Sequence, residues 1–445
     1  MKGIIVMKRK NRLLLLMTML MVILASVGCG NSKPKKNQVF GGSIEGVWQS
    51  EGYGLVVELA AGKVSVYETT AISGIKKYEG TYSNNTIRID DLQLNVGISN
   101  GKLVVQNDDL GVYYRARRIK ELPQTCQNGG MKDALDPITN FEVFWHTFNE
   151  HYAFFRLRGV NWKSQYQLFR PRVNNNTSQE ELLAIFAEMI RPLADPHVTI
   201  NGLDEEIRFG IDEAVLMQGH ALIRSQSDMI KVGRTGMLAY QHFSDDIGLV
   251  AMLGMFGYSD QSTVEAQDEA FDKVLNAFSD KRAIIIDLRY NVGGLDPVAK
   301  AVASRFIDQK RLAYSKQARN GNDYTPLQRH YIEPQGPQQF EGKVVLLTSR
   351  NTVSAGEIFV MMMKELPNVT VIGEATCGAH SDVLERRLPN GWQIGLSNER
   401  YYTAKGEICE KRGLKPDIEI PFNFGEIVRG NDRILKAAVE YVNNN

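Results

Sequence analysis

Cysteine is scarce in this chain: four residues in 445, one of them at position 29 directly behind an apolar run. The remaining Cys126, Cys377 and Cys409 are too few for a disulfide framework and cannot all pair within one chain. Metal-ligand spacing is missing as well. No CxxC or HExxH occurs and the seven histidines are scattered, so neither a metal nor a cofactor is expected. Excess charge of one sign is absent too. Lys and Arg total 52 against 51 Asp and Glu, a formal net charge of +1, which removes nucleic acid and anionic membrane surfaces as main partners. No internal repeat or low-complexity tract is found outside a short polar tether. What is present is 43% hydrophobic and 23% charged residues, ordinary globular protein with material for two or more domains.

Residues 1–29 read as an export signal: Lys8, Arg9, Lys10 and Arg12 precede LLLLMTMLMVILA, and ASVGC follows. The small residues ending at Cys29 resemble the lipobox of bacterial lipoproteins, in which that cysteine becomes the lipidated first residue, although Ser26 stands where leucine is usual. Residues 30–41 then form the tether. The expected location is the bacterial cell envelope, with the protein lipid-anchored to the membrane and facing outward; secretion is the alternative. Disulfides persist there, so Cys377 and Cys409 could pair, with free thiols equally open.

Residues 42–120 alternate in short runs (GLVVELA, KVSVYETT, TIRIDDLQLNV, KLVVQN, GVYYRARRI) broken by Ser83-Asn84-Asn85, Ser99-Asn100-Gly101 and Asn107-Asp108-Asp109. This predicts a small antiparallel β-barrel or sandwich with Trp48 inside, serving either as a spacer or as a binding module. GGMKDALDP reads as a linker. Over 138–200 the pattern turns helical, with Phe141, Phe144, Trp145 and Phe148 at three- and four-residue steps, and Leu182, Leu183, Ile185, Phe186, Met189 and Ile190 repeating it. Thr177 or Ser178 would cap the second helix. From 201 to 445 strands and helices alternate: DIGLVAMLGMF, TVEAQDEAFDKVLNAFSD, RAIIIDLR, PVAKAVASRFI, KVVLLTS, AGEIFVMMMKEL and VTVIGEA. Alternation of this kind predicts an α/β core around a largely buried sheet.

Four segments carry chemistry. In VVLLTSRNTVSAGEIF a strand breaks into polar residues and Ser354 opens a helix, which suits either a simple cap or a nucleophile beside unsatisfied amides. In IIIDLRYNVGG a strand runs into Gly293-Gly294, whose backbone can bend sharply and offer N–H groups. LADPHVTI fixes His197 after a proline turn, and GEICEKRGLKPDIEIPF places Glu407 and Glu410 ahead of a last strand-like run. Asp287 and Arg289 are expected to hold the sheet end together rather than act on substrate.

Taken in order with YAFFRLRGVNW, LADPHV and VIGEATCGA, these segments resemble the S41 serine peptidases, which include carboxyl-terminal processing and tricorn core proteases. The resemblance covers about residues 138–422. It implies a crotonase-like ββα spiral core and cleavage of exported or unfolded polypeptides. Family members use either a Ser-Lys dyad or a Ser-His-Glu arrangement. Here Thr376-Cys377-Gly378-Ala379-His380 puts alanine at the lysine position, and a methyl group cannot accept a proton. The resemblance therefore implies Ser354 as nucleophile, His197 as general base and Glu410 as the residue fixing the imidazole, with His380 a competing base. Ala355 N–H and Gly293 N–H, or Gly294 in its place, would form the oxyanion hole. A histidine base implies activity falling below about pH 6 to 7. The roughly fifty residues between His197 and Asp246 leave no room for the PDZ domain of many processing proteases. The contrasting functions are a non-catalytic ligand or polypeptide-binding lipoprotein on the same scaffold, and a structural lipoprotein whose β domain docks a partner.

Overall fold

The computed structural model describes residues 7–8, 43–131, 134–261 and 263–445. Apart from Met7–Lys8, the export signal, Cys29 and the tether lie outside the described residues. Among the described residues no helix is long and apolar enough to cross a membrane.

Eight antiparallel strands, from Gly46–Ser50 to Val112–Ile119, close into a barrel in chain order. Tight hairpins set its register. Asn84-Asn85 and Asn100-Gly101 both have positive φ and join Ser83 to Thr86 and Ser99 to Lys102, the two-residue turn that matches strand twist. The inward residues, among them Trp48, Leu59, Val64, Ile87, Val96 and Leu103, fill the interior with apolar side chains.

The barrel is docked on the rest of the chain. Tyr53 leaves it to enter the aromatic cluster built by Phe141, Phe144, Phe148 and Phe186, and its hydroxyl donates to Glu399 Oε1 at 2.5 Å. Glu68 accepts the Arg387 N–H at 2.8 Å and pairs with Arg386 at 3.5 Å. The expected linker is likewise tied down where it is described, with Met131 N–H bonded to Gly74 and Ala134 N–H to Pro389.

The helical segment comprises Pro137–His151, capped by Asp136, the shorter Phe155–Arg158 and Trp162–Phe169, and Gln179–Ile190, capped by Ser178. Thr199–Gly202 then pairs with Glu205–Arg208 on one side and with Gln393–Ser397 on the other, joining the start of the core to its late segments. A helix at Glu213–Ser225 and the strands Ile230–Val232 and Leu238–His242 fill the stretch before Asp246.

The main sheet has seven strands. Ile247–Met252, Ala283–Asp287, Lys343–Thr348 and Val369–Gly373 run parallel, and nearly every residue in the first three is buried. Burial on both faces explains why these strands read as continuous apolar runs. Helices Val264–Ala277, Asp296–Ala303 and Ala355–Met363 cover one face. Ile434, Ala438 and Val442, at four-residue steps on the helix Arg433–Asn444, cover the other. That last helix has no counterpart among the sequence-predicted elements, and the strands Arg311–Asn320, Gln328–Ile332, Val383–Arg387, Gln393–Ser397 and Glu399–Thr403 are further additions. Cys126, Cys377 and Cys409 are all free thiols.

Candidate active site

Three neighbouring parallel strands end on the same side of the sheet, and the loops that leave them meet there. These are the segments after Asp287, Thr348 and Gly373, carrying Gly293-Gly294, Ser354 and Ala379-His380. The carboxyl ends of parallel strands are where α/β sheets ordinarily place their chemistry.

Polar stitches fix the serine turn. Ser349 Oγ donates to the Arg289 carbonyl at 2.6 Å and Thr352 Oγ1 to that of Leu288 at 2.8 Å, binding the turn to the adjacent strand end. Asn291 is fully buried, donates to Met252 O at 2.8 Å and accepts from Gly293 N–H at 2.9 Å. Ser354 itself has φ 57° and ψ −129°, a conformation costing a non-glycine residue on the order of 1–3 kcal/mol. It is held by its own N–H, bonded to Ala379 O at 3.1 Å and to Glu357 Oε2 at 3.3 Å. The reciprocal bond of a full capping box is displaced, because Glu357 N–H donates to the Ser354 carbonyl at 2.7 Å. The hydroxyl is thus released from capping, on a half-buried residue.

Glycine is required on both sides of this serine. A Cβ on Gly293, where φ is +82°, would lie 2.5 Å from Ser354 Cβ, and one on Gly356 would lie 2.5 Å from Asn291 Oδ1. The expected oxyanion donors sort themselves by what they already bind. Gly293 N–H is taken by Asn291, whereas Gly294 N–H and Ala355 N–H donate to no group among the described residues. Ala355 is the first residue of its helix, so its amide is one of the orphans every helix start leaves. Gly294, expected as the substitute, is the free donor on the second segment.

The two histidines differ in what surrounds them. His197 is half-buried, its N–H donates to Asp195 Oδ1 at 3.0 Å, and its imidazole forms no hydrogen bond among the described residues, the buried Nδ1 included. His380 is enclosed between two carboxylates, with Nε2 3.5 Å from Glu357 Oε1 and Nδ1 3.8 Å from Glu410 Oε2. Burial alone pushes the His380 imidazole down, but Glu357 and Glu410, with Asp296 beyond, outweigh it and hold its pKa above the ordinary histidine value. Glu410 makes no direct bond to the His197 ring. It accepts from Arg158 Nη2 at 2.9 Å and from His380 N–H at 2.9 Å. Burial would raise the Glu410 carboxyl, yet His380 and Arg158 prevail and depress it.

Residues without an assigned role in the sequence complete the network. Arg158 lies 3.5 Å from Asp195, which also accepts the Tyr152 hydroxyl at 2.8 Å. Glu357, fully buried, accepts Thr376 Oγ1 at 2.5 Å, Gly378 N–H at 2.7 Å and Ala379 N–H at 2.8 Å. Its three-residue spacing from Ser354 was the available signal, while Arg158 and Asp195 sit within YAFFRLRGVNW and LADPHV. Asp287 and Arg289 pair at 2.7 Å, and Arg289 reaches Asp432 at 2.7 Å, so they tie the sheet end to the C-terminal helix.

Residues 234–420 match the description of peptidase family S41, and residues 135–191 that of the tricorn protease C1 domain. The carboxy-terminal processing protease CtpA of Bacillus subtilis is 28% identical over 138 residues, 31% of this chain and 28% of its own length. A "Probable CtpA-like serine protease" of Staphylococcus epidermidis is 23% identical over 334 residues, 69% of this chain and 62% of that protein. The chain thus spans less than two thirds of either relative. The crystal structure of a Parabacteroides merdae protein described as a candidate peptidase shares the fold with a TM-score of 0.60 and 26% identity, covering 69% of this chain and 97% of that one. With its motifs in family order, both family descriptions matched and the fold shared, residues 234–420 form a peptidase family S41 region behind a tricorn C1-type segment at 135–191.

Proposed function

We propose that this protein is an exported serine peptidase that hydrolyses unfolded or exported polypeptides through an acyl-enzyme on Ser354. The observation carrying this reading is the serine turn itself: a strained, half-buried serine at a strand end, its hydroxyl free of capping, between two unengaged amides on separate segments. Ser354 Oγ attacks the scissile carbonyl carbon while its proton passes to His197. The oxyanion is received by Ala355 N–H and Gly294 N–H. The C–N bond then breaks as His197 returns the proton to the leaving amine, and water hydrolyses the ester by the reverse route.

His197 is favoured over His380 as the base because both ring nitrogens of His380 face buried carboxylates, whereas His197 is half-buried and free of such partners. Glu410 acts on His197 through Arg158 and Asp195, whose carboxylate holds the His197 amide. Lipidation at Cys29 would anchor the enzyme to the outward face of the membrane. Ser354→Ala should abolish hydrolysis of an unfolded protein and labelling by a fluorophosphonate probe while leaving the circular dichroism spectrum unchanged. Undiminished hydrolysis by that variant sinks the assignment.

A further inference from the structure

The buried groups behind Ser354 do not balance in charge. Asp195, Glu357 and Glu410 are carboxylates at 3% exposure or less, and Arg158 is one cation. Buried carboxylates are tolerated only when paired or fully hydrogen-bonded. Arg158 serves Asp195 and Glu410 at one end of the row. At the other end Glu357 has only neutral donors, the Thr376 hydroxyl and the amides of Ser354, Gly378 and Ala379. His380 fills the space between Glu357 and Glu410 at ion-pair distance, and among the described residues neither of its ring nitrogens has a hydrogen-bond partner.

We propose that His380 is a positioning residue: a buried imidazolium that bridges Glu357 and Glu410 and so holds the nucleophile's turn in register with the loop carrying the general base. This rests on the reading of Ser354 as nucleophile, whose surroundings it deepens. The connection runs through hydrogen bonds on either side and ion-pair contacts at the His380 ring. Ser354 N–H is gripped by Glu357 and by the carbonyl of Ala379, the residue before His380. Glu357 faces one ring nitrogen and Glu410 the other. Glu410 is held by Arg158, Arg158 by Asp195, and Asp195 accepts the amide of His197.

A neutral ring would leave Glu357 without a cation and the two halves joined only through backbone and the Thr376 hydroxyl. The groups facing the imidazole are Glu357 from the serine helix, Glu410 from the late loop with Arg158 and Asp195 behind it, and Asp296 from the helix after the glycines. Glu357, Glu410 and Asp195 against one arginine favour retention of the proton, Asp296 adding less because burial pushes its own carboxyl up to about 7, and the raised pKa of His380 agrees in direction. Activity should accordingly fall on the alkaline side as His380 loses its proton.

Two measurements test this, and they separate it from the assignment of the nucleophile. In the Ser354→Ala protein, which needs no activity, nitrogen-15 labelled imidazole shifts followed through a pH titration should show His380 still doubly protonated above the ordinary histidine midpoint of roughly 6.5. The His380→Gln spectrum identifies its signal. A ring already neutral at pH 7 overturns the proposal whether or not Ser354 is the nucleophile, and this holds even if His380→Gln fails to fold for activity work. In the otherwise unaltered protein, His380→Gln should lower kcat at least about tenfold with KM little changed, slow fluorophosphonate labelling of Ser354 to match, and remove the alkaline fall. A variant with the parental kcat and pH profile overturns it. Failure of the parent itself to label would instead count against Ser354 as nucleophile.

Discussion

Inside the barrel, Leu59, Val64, Val96 and Leu103 pack together in an apolar cluster, whereas behind the parallel strand ends Arg158, Asp195, Glu357, His380 and Glu410 are buried together as ionisable groups. Both regions exclude water, but they constrain the chain differently. Apolar burial is non-directional, so the barrel needs only the right alternation and enough volume. A buried charge needs its partner at a set distance and angle. The ionisable row therefore occurs where segments from residue 158 to residue 410 must meet at one place, and its cost is met by directional bonds.

Breaking the row should have the largest effect. Arg158→Met keeps much of the side-chain volume but leaves Asp195 and Glu410 without their cation, which should cost on the order of 3–5 kcal/mol. Hydrolysis should fall with it, because the Asp195 grip on the His197 amide loosens. Denaturant unfolding read beside kcat checks both effects. An unfolding midpoint equal to that of the parent would show that the two regions do not differ as described.

Truncation inside the barrel should be smaller in effect and of another kind. Leu59, wholly buried among the barrel's apolar side chains, loses on the order of 2–4 kcal/mol of stability as alanine. The folded fraction should keep its kcat, since no ionisable partner of Ser354 is displaced. A Leu59→Ala protein that is stable but catalytically slow would contradict this separation.

The same contrast explains what could be read from the sequence. Alternating runs and turn pairs such as Asn84-Asn85 announce the barrel, and apolar runs announce the central strands, because both signals are local. Ser354 is legible as a strand-to-helix turn. The polar strands Arg311–Asn320 and Glu399–Thr403 are not, since they pair with each other across more than eighty residues. Glu410 is visible as a charge, but its attachment to Arg158 rather than directly to the His197 ring depends on packing between segments 252 residues apart. Glu357 reads as the acid of a helix start, and the structure turns it to Thr376, Gly378 and Ala379 of the next loop. Apart from Met7–Lys8, the export signal and Cys29 lie outside the described residues, and the sequence remains the basis of that expectation.

Tyr53 is where the two kinds of burial touch, and it gives the mildest test. It comes from the barrel, yet its hydroxyl donates to Glu399, which pairs with Lys316 at 3.1 Å. Burial, helped by nearby Asp382 and opposed by Lys316, pushes the Glu399 carboxyl up to about 7, and the bond from Tyr53 pulls it down. Because the folded value lies above the unfolded one, the contribution of Glu399 to stability is fully present below about pH 4.5 and is lost as pH rises through about 7. The Tyr53 hydroxyl offsets part of that loss by stabilising the ionised form. Tyr53→Phe should therefore cost about 1–2 kcal/mol at pH 8 and distinctly less at pH 5, where Glu399 carries its proton. Unfolding free energies of parent and variant at the two pH values decide it. An equal cost at both would mean that Glu399 does not titrate in this window, and that the barrel meets the core through shape alone.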